Sequence, residues 1–200
     1  MAFVETDKVL ADFGPAEGAG LWVKRVALVV LGVALLAATA KIKVMIPPSP
    51  VPITMTTFAV LTIGAAYGAR LGFATVFGYL LIGAMGFDVF ASSSAEVHGI
   101  DYMLGGTGGY LLGYLLATMA LGWLAQRGWD RSVALMASAM TVGTVLIYIP
   151  GVLWLGVLYG WDKPILEWGL TPFLIGDAMK LALAALVLPA IWKLVGKARG

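Results

Sequence analysis

The sequence predicts an all-α integral membrane protein that crosses the membrane with six helices and has both termini in the cytoplasm. Of its 200 residues, 60% are hydrophobic and only 12% are charged, and the mean hydropathy is +0.93. Soluble domains are nearer half apolar and a quarter charged, so the composition excludes an ordinary soluble domain. Two further observations support the prediction: six apolar runs of membrane-crossing length, and an uneven distribution of Lys and Arg between the segments that join them.

The composition also limits the chemistry that the chain can perform. It contains no Cys, which excludes disulfides, thiolate metal sites and a Cys nucleophile. The formal net charge of +2 is too small to indicate a nucleic-acid partner.

Residues 1–20 are predicted to form a cytoplasmic tail, and residues 21–200 a six-helix membrane domain. The tail carries four acidic residues and no apolar core, so it does not have the pattern of a secretory signal peptide. Two interpretations stay open for it, a short helix at the membrane surface and a disordered segment. The first would use five apolar side chains: Phe3, Val4, Val9, Leu10 and Phe13.

A membrane-spanning helix needs about 20 mostly apolar residues. Six runs come close to or exceed that length, at residues 21–42, 53–69, 71–90, 108–126, 132–159 and 172–195. The second run is short. The fifth contains Pro150, which lacks a backbone N–H and is therefore expected to kink or break the helix.

The distribution of Lys and Arg predicts the orientation of these helices. With the N-terminus inside, the inner segments hold nine basic residues: Lys8, Lys24, Arg25, Arg70, Arg127, Arg131, Lys193, Lys197 and Arg199. The outer segments hold three: Lys41, Lys43 and Lys163. Basic residues favour the cytoplasmic side, so both termini are expected there. The inner connections are then very short, and a binding pocket is expected among the longer outer segments, 43–52, 91–107 and 160–171.

Three of the predicted helices begin at the outer side with unusual residues. The second follows a proline-rich stretch that ends near Thr54, and the fourth follows a glycine cluster that contains Thr107 and Gly109 and ends at Tyr110. The N-terminus of a helix presents free N–H groups and a positive dipole end, so three such N-termini, including that of the sixth helix, can converge on a ligand and favour an anionic group there. Each motif also has a plainer explanation, since prolines are common in loops and glycines permit close helix packing.

The sixth predicted helix carries Asp177 and Lys180 inside an apolar run. An ionised side chain at the centre of a bilayer costs about 2.5–3.5 kcal/mol on insertion scales, so such residues usually face a cavity or a partner. At a spacing of three residues the two side chains share one helix face and can neutralise each other. They are candidates for a ligand site, and a structural ion pair is the alternative.

The outer segment 91–107 contains the only histidine, His98, between Glu96 and Asp101. These three side chains could bind a metal ion in a small intramembrane enzyme. A lone histidine in a hydrophilic loop more often binds nothing, and the spacing matches no zinc motif, so we predict no metal site.

The first predicted helix is rich in small residues, and Ala34 and Ala38 have a small-xxx-small spacing. Such a face permits close contact with another helix, either in the same bundle or in a second membrane subunit.

Four motifs resemble those of the BioY family, the biotin-specific substrate-binding (S) components of energy-coupling factor (ECF) transporters. They are Pro-Val-Pro-Ile-Thr at 50–54, Gly-Phe-Asp-Val-Phe-Ala at 86–91, the glycine cluster at 105–110, and Pro172-Phe173 followed by Gly-Asp-Ala-Met-Lys at 176–180. The chain departs from the family where Thr56 replaces a common glutamine, and where Asp88 and Gly106 replace usual prolines.

The resemblance implies an S-component fold in a bacterial cytoplasmic membrane that binds biotin with high affinity at its outer side and serves biotin uptake. It also implies a transmembrane coupling subunit and two cytoplasmic ATPase subunits as partners, with Ala34 and Ala38 on the contact with the coupling subunit. The chain has no Walker motif, so we expect a transport subunit and not an enzyme, with no cofactor beyond the ligand biotin. Homo-oligomerisation is left open.

The expected biotin site combines seven residues of three motifs and the 86–91 run: Thr54, Phe90, Thr107, Gly109, Tyr110, Asp177 and Lys180. We expect Asp177 to accept ureido N–H bonds and Lys180 to donate to the ureido oxygen or to the carboxylate. The alternatives are an S-component for thiamin or riboflavin, the metal-dependent enzyme already described, and a structural membrane-assembly protein.

Overall fold

The computed structural model describes residues 8–94 and 96–197, which are mainly helical. The α-helices in these residues are α1 (Gly18–Lys41), α2 (Thr56–Ala84), α3 (Gly99–Met103), α4 (Gly108–Ala125), α5 (Val133–Tyr159), α6 (Ile165–Gly169) and α7 (Leu174–Lys197). Short 3₁₀ turns form at Leu10–Asp12, Trp129–Arg131 and Thr171–Phe173. Strands β1 (Lys43–Val44) and β2 (Ile53–Thr54) pair antiparallel between α1 and α2. The predicted all-α class is confirmed.

In the described part of the chain, five helical stretches are long and apolar enough to cross a membrane. They are α1, α2, α4, α5 and the stretch 165–195 that contains most of α7. The predicted second and third spans both fall largely within α2. A count of six crossings and a cytoplasmic location of both termini stay predictions.

α2 is interrupted at Gly68, whose φ of 76° and ψ of 172° are not helical. Glycine adopts a positive φ without the steric penalty of a Cβ. A Cβ added to Gly72 would lie 3.4 Å from the Cα of Gly64. Residues eight apart in a straight helix are about 12 Å apart. The chain therefore folds back at Gly68, and segments 56–67 and 69–84 lie side by side near this turn.

α4 is the central helix of the bundle. It packs against α2 on one side and α5 on the other, while α1 packs on α2 and α7 on α5. Small residues permit the close approach: a Cβ on Gly113 of α4 would lie 2.7 Å from the Cα of Ile147 of α5. The buried core surrounds α4, and most of α1 remains exposed.

α5 continues through Pro150, so of the two expected outcomes, a kink or a break, the helix does not break. Proline leaves the carbonyl of Leu146, four residues earlier, without its usual helical donor. That carbonyl faces Gly113 of α4. A neighbouring helix that covers a freed carbonyl lets a membrane helix tolerate proline.

The segment around Val9 packs on the end of the bundle opposite to the β1–β2 pair. Val9 is 1% exposed, and its side chain lies against Gly68 and near Gln126. The rings of Phe13 and Trp192 meet edge to face with centroids 5.5 Å apart. These residues are therefore docked on the bundle, neither disordered nor in an interfacial α-helix.

Two further points concern the predicted tail. α1 begins at Gly18, three residues before the predicted first span. Phe3 and Val4, the other apolar residues of the predicted interfacial helix, lie outside the described residues.

Candidate functional site

A cavity opens between the β1–β2 pair and the first turns of α2, α4 and α7, at the end of the bundle predicted to face outside. Counted with its mouth, the empty space is about 540 Å³. The lining is mostly apolar and aromatic with a few polar groups, as is usual for small-molecule sites. The lining residues are Val51, Pro52, Thr54, Thr56, Thr57, Tyr79, Phe90, Ala91, Tyr102, Thr107, Tyr110, Leu111, Tyr114, Ile147, Tyr148, Phe173 and Lys180.

Lys180 provides the cationic group of this cavity. Its Nζ lies 2.8 Å from Asp177 Oδ1, and the two side chains are 11% and 10% exposed. The same nitrogen donates to the carbonyl of Thr54 at 2.8 Å and to Thr57 Oγ1 at 2.9 Å. An ammonium has three donors, so all three are occupied within the protein.

Asp177 stands behind the cavity wall and is held by two partners. One carboxylate oxygen accepts from Lys180, and the other accepts from the hydroxyl of Tyr148 on α5. The carboxylate also borders a second, smaller space between α2, α5 and α7, and its lining shares four residues with the main cavity: Thr57, Ile147, Tyr148 and Lys180. The ion pair and Tyr148 therefore form the wall between the two spaces.

Aromatic rings line one side of the cavity near this wall. The ring of Tyr148 lies 6.3 Å from that of Tyr110 and 6.1 Å from that of Phe173, centroid to centroid. The hydroxyl of Tyr110 donates to the carbonyl of Gly169 at 2.7 Å, which ties α4 to α6. These contacts keep the rings in place and leave their faces available to an apolar ligand.

A second aromatic group lies around Phe90, which follows the end of α2. The Phe90 ring stacks on Tyr102 with centroids 4.9 Å apart and meets Tyr79 edge to face at 5.4 Å. The hydroxyl of Tyr79 donates to the carbonyl of Val89 at 3.1 Å. α2 ends at Ala84, so the predicted span 71–90 ends in a loop and not in a helix, and within this loop Phe90 is 1% exposed.

Lysines at the mouth hold this loop. Lys41 Nζ contacts Asp88 Oδ1 at 2.6 Å and the carbonyl of Phe90 at 2.8 Å, and Lys43 Nζ donates to the carbonyl of Ala91 at 2.5 Å. The hydrogen bond from Lys41, followed by that from Ser93, lowers the pKa of Asp88 from its usual value. The loop that carries Phe90 is therefore tied to the region between α1 and β1.

The structure brings together five of the seven residues predicted for the site: Thr54, Phe90, Thr107, Tyr110 and Lys180 line the main cavity. Asp177 joins them through Lys180 and borders the second space. Gly109 lies elsewhere, in the contact between α4 and α5, where an added Cβ would be 2.2 Å from the carbonyl oxygen of Pro150.

Several lining residues were not found from the sequence. Tyr148 lies in apolar surroundings that resemble any membrane helix, and nothing local marks it. Phe173 was part of the Pro172-Phe173 motif but was not among the residues predicted for the site. Tyr110 and Tyr114 are four residues apart on α4 and therefore share a face. From this spacing, Tyr114 could have been predicted to line the site together with Tyr110.

The remaining candidates lie away from the cavity. Glu96, His98 and Asp101 are all exposed. No group of three His, Asp or Glu side chains in residues 8–94 and 96–197 could hold a metal ion. Ala34 and Ala38 are exposed on α1, whereas its buried residues are Gly32, Leu36 and Ala40.

Comparisons with known proteins agree with one another. Residues 8–197 match the BioY family. The sequence is 38% identical to the probable biotin transporter BioY of Pyrococcus horikoshii, over 82% of this chain and 93% of that protein. It is 34% identical to the biotin transporter BioY of Thermotoga maritima, over 74% of this chain and 85% of that protein.

The fold is similar to a crystal structure at 2.1 Å of the S-component for biotin from an ECF-type ABC transporter. The TM-score is 0.76 at 20% sequence identity, and the match covers 89% of this chain and 95% of that one. The predicted S-component fold is confirmed. The family match extends over almost the whole described chain, from the docked segment at residue 8 to the end of α7, and on that basis the chain belongs to the BioY family.

Proposed function

We propose that this chain binds biotin and serves its uptake as the substrate-specific S-component of an ECF-type transporter. The observation that carries the proposal is the buried Asp177–Lys180 pair at the wall of a cavity lined mostly by aromatic and apolar side chains. Biotin has a matching distribution of chemistry, because its neutral ureido head carries both donors and an acceptor, its fused ring is apolar, and its valerate chain ends in a carboxylate.

The ureido head is proposed to lie against the ion pair. Asp177 and Lys180 together carry no net charge, so their wall offers an acceptor and a donor to a neutral group without burying a third charge. A second carboxylate beside Asp177 would meet like charge at short range. The valerate is therefore proposed to extend away from the ion pair towards Ala91, a lining residue whose carbonyl accepts a hydrogen bond from Lys43.

Binding to Lys180 requires an exchange of hydrogen bonds. The three donors of its ammonium already point to Asp177, Thr54 and Thr57. A ligand oxygen must share or replace one of them, whereas each oxygen of Asp177 has a second lone pair that can accept a ureido N–H. The fused ring would then pack on Phe90, Tyr148 and neighbouring rings.

The partners belong to the same proposal. A transmembrane coupling subunit and two cytoplasmic ATPases would drive transport, since this chain has no Walker motif of its own. Ala34 and Ala38 lie on the exposed side of α1, where a helix of another subunit can approach closely. The proposed location is the bacterial cytoplasmic membrane, with the cavity facing outward.

A calorimetric titration of the purified protein in detergent tests the proposal. We expect saturable binding of one biotin per chain, and no saturable heat from thiamin or riboflavin at the same concentrations. Binding of another vitamin in place of biotin would assign the chain to a different substrate. The absence of any saturable ligand would favour a structural membrane protein.

A further inference from the structure

The hydroxyl of Thr56 has no hydrogen-bond partner in the described part of the chain. Thr56 is the first residue of α2, is 2% exposed and lines the main cavity. Its backbone N–H already donates to Thr54 Oγ1 at 3.2 Å, so only the side chain is unsatisfied. Buried hydroxyls in folded proteins are normally hydrogen-bonded, which points to a group that enters the cavity.

The position of Thr56 at the start of a helix explains why it has no internal partner. Five threonines farther along the helices donate to the carbonyl four residues earlier, at 2.6–2.9 Å: Thr39, Thr62, Thr75, Thr118 and Thr141. The residue four positions before Thr56 is Pro52, which precedes β2 and lies outside the helix. The usual acceptor is therefore missing.

Other polar groups of the cavity are already paired within the protein. The hydroxyl of Tyr79 donates to Val89, that of Tyr110 to Gly169, and that of Tyr148 to Asp177. Lys180 uses all three of its donors. Among the lining residues that the structure describes, Thr56 is the one with a fully buried side-chain oxygen that lacks a partner.

The neighbours of Thr56 indicate which part of the ligand it meets. The carbonyl of Thr54 and the hydroxyl of Thr57 both contact the Lys180 ammonium, so the start of α2 and the ion pair form one polar corner. We propose that Thr56 is a specificity-determining residue whose hydroxyl bonds to the cyclic urea head of the ligand beside Lys180. This inference rests on the proposed biotin function.

Thr56→Val tests the role of the hydroxyl because it keeps the shape of the side chain. We expect the Kd for biotin to rise about tenfold, the usual loss when one hydrogen bond of a buried ligand is removed. The Tm of the ligand-free variant should stay the same or rise, since the substitution removes an unpaired buried hydroxyl. A residue with only a structural role would instead lower Tm and leave the affinity of the folded protein unchanged.

Three comparisons complete the experiment. Thr56→Ser keeps the hydroxyl and should keep the affinity of the wild type within about threefold. Thr118 is not among the lining residues, and its hydroxyl already donates to the carbonyl of Tyr114, so Thr118→Val should not change biotin affinity. Biotin methyl ester, which masks the carboxylate and keeps the urea, should show the same loss with Thr56→Val as biotin does.

Each result separates this inference from the function on which it rests. Equal affinity of Thr56→Val and the wild type would overturn the role of Thr56 while biotin binding stands. A loss that disappears with the methyl ester would overturn the assignment to the urea head. If the wild type itself does not bind biotin, both the role of Thr56 and the proposed biotin function are wrong. If Thr56→Val does not fold, Thr56→Ala removes the same hydroxyl without adding volume and gives the same comparison.

Discussion

The ammonium of Lys180 lies 2.8 Å from the backbone carbonyl of Thr54, although 126 residues separate the two in sequence. The bond joins α7 to the junction of β2 and α2. It also places the ion pair of α7 at the first turn of α2, so the polar corner of the cavity depends on both helices at once.

Removal of the Lys180 ammonium should therefore lower the stability of the fold as well as the affinity of the site. Lys180→Met leaves the Asp177 carboxylate buried without its ionic partner, and loss of one member of such a pair typically costs about 3–5 kcal/mol. We expect a lower Tm and at least a tenfold weaker affinity for biotin. Thermal unfolding and calorimetry measure the two effects.

A double variant separates the two contributions. Asp177→Asn combined with Lys180→Met removes both charges, so it should regain much of the lost stability and still bind biotin poorly. If Asp177→Asn or Lys180→Met alone binds biotin within about threefold of the wild type, the ion pair has no direct role in binding.

Tyr148→Phe should weaken biotin binding without disturbing the aromatic cluster. The substitution removes one hydrogen bond to Asp177 and keeps the ring that meets Tyr110 and Phe173. We expect about a threefold to tenfold rise in Kd, because the carboxylate loses the partner that orients it. Tyr159→Phe, at an exposed residue outside the cavity lining, is the matched control and should bind like the wild type.

Gly109→Ala tests whether this glycine serves packing or binding. A Cβ at this position would lie 2.2 Å from the carbonyl oxygen of Pro150, so α4 and α5 would have to move apart. We expect a loss of about 1–3 kcal/mol in stability, with biotin affinity of the folded fraction within threefold of the wild type.

Gly78→Ala provides the same substitution at a tolerant position. Its Cβ would meet Val33 at 3.6 Å, an ordinary contact, so Tm should change little. A normal Tm for Gly109→Ala together with a large loss of affinity would instead assign Gly109 to the binding site.

Asp130 should make stability depend on pH. It lies in the 3₁₀ turn between α4 and α5 and is 1% exposed, and burial raises the pKa of its carboxyl from 3.8 to about 6, despite a hydrogen bond from Trp192 and the charge of Arg131. The folded protein therefore keeps this proton at pH values where the unfolded chain has released it. The stability from this group is complete below about pH 4 and is lost as the pH rises through about 6.

Asp130→Asn removes this titration and keeps an oxygen that can accept from Trp192. Between pH 5 and pH 7 we expect the Tm of the wild type to fall relative to that of the variant, by a few degrees. Parallel curves for the two proteins over this range would contradict the prediction.

The fold class was predictable because a long apolar run in a membrane can adopt very few structures, and the helix is the usual one. Local structure at the ends of these runs was harder. Pro150 forbids one hydrogen bond of a helix, but the cost depends on what covers the carbonyl of Leu146, and that is Gly113 of another helix. Phe90 was expected at the end of a helix, whereas its burial comes from ring contacts with Tyr79 and Tyr102.

The site was predictable where a residue conflicts with its surroundings. Asp177 and Lys180 are conspicuous because charge is expensive in an apolar segment. Tyr148 is equally close to the carboxylate, but a tyrosine in a membrane helix is unremarkable until a fold places it opposite an acid. Thr56 was visible only as a departure from the family pattern, and its unpaired hydroxyl is a property of its position in three dimensions.

The contact between Phe13 and Trp192 has a consequence for the order in which the protein is made. The ribosome makes Phe13 well before Trp192, because α1, α2, α4 and α5 lie between them in sequence, so the segment around Phe13 must wait for these helices before its partner exists. Val9 cannot reach its buried place until the turn at Gly68 and the end of α4 have also formed. Closure of this end of the bundle is therefore expected to follow the synthesis of α7.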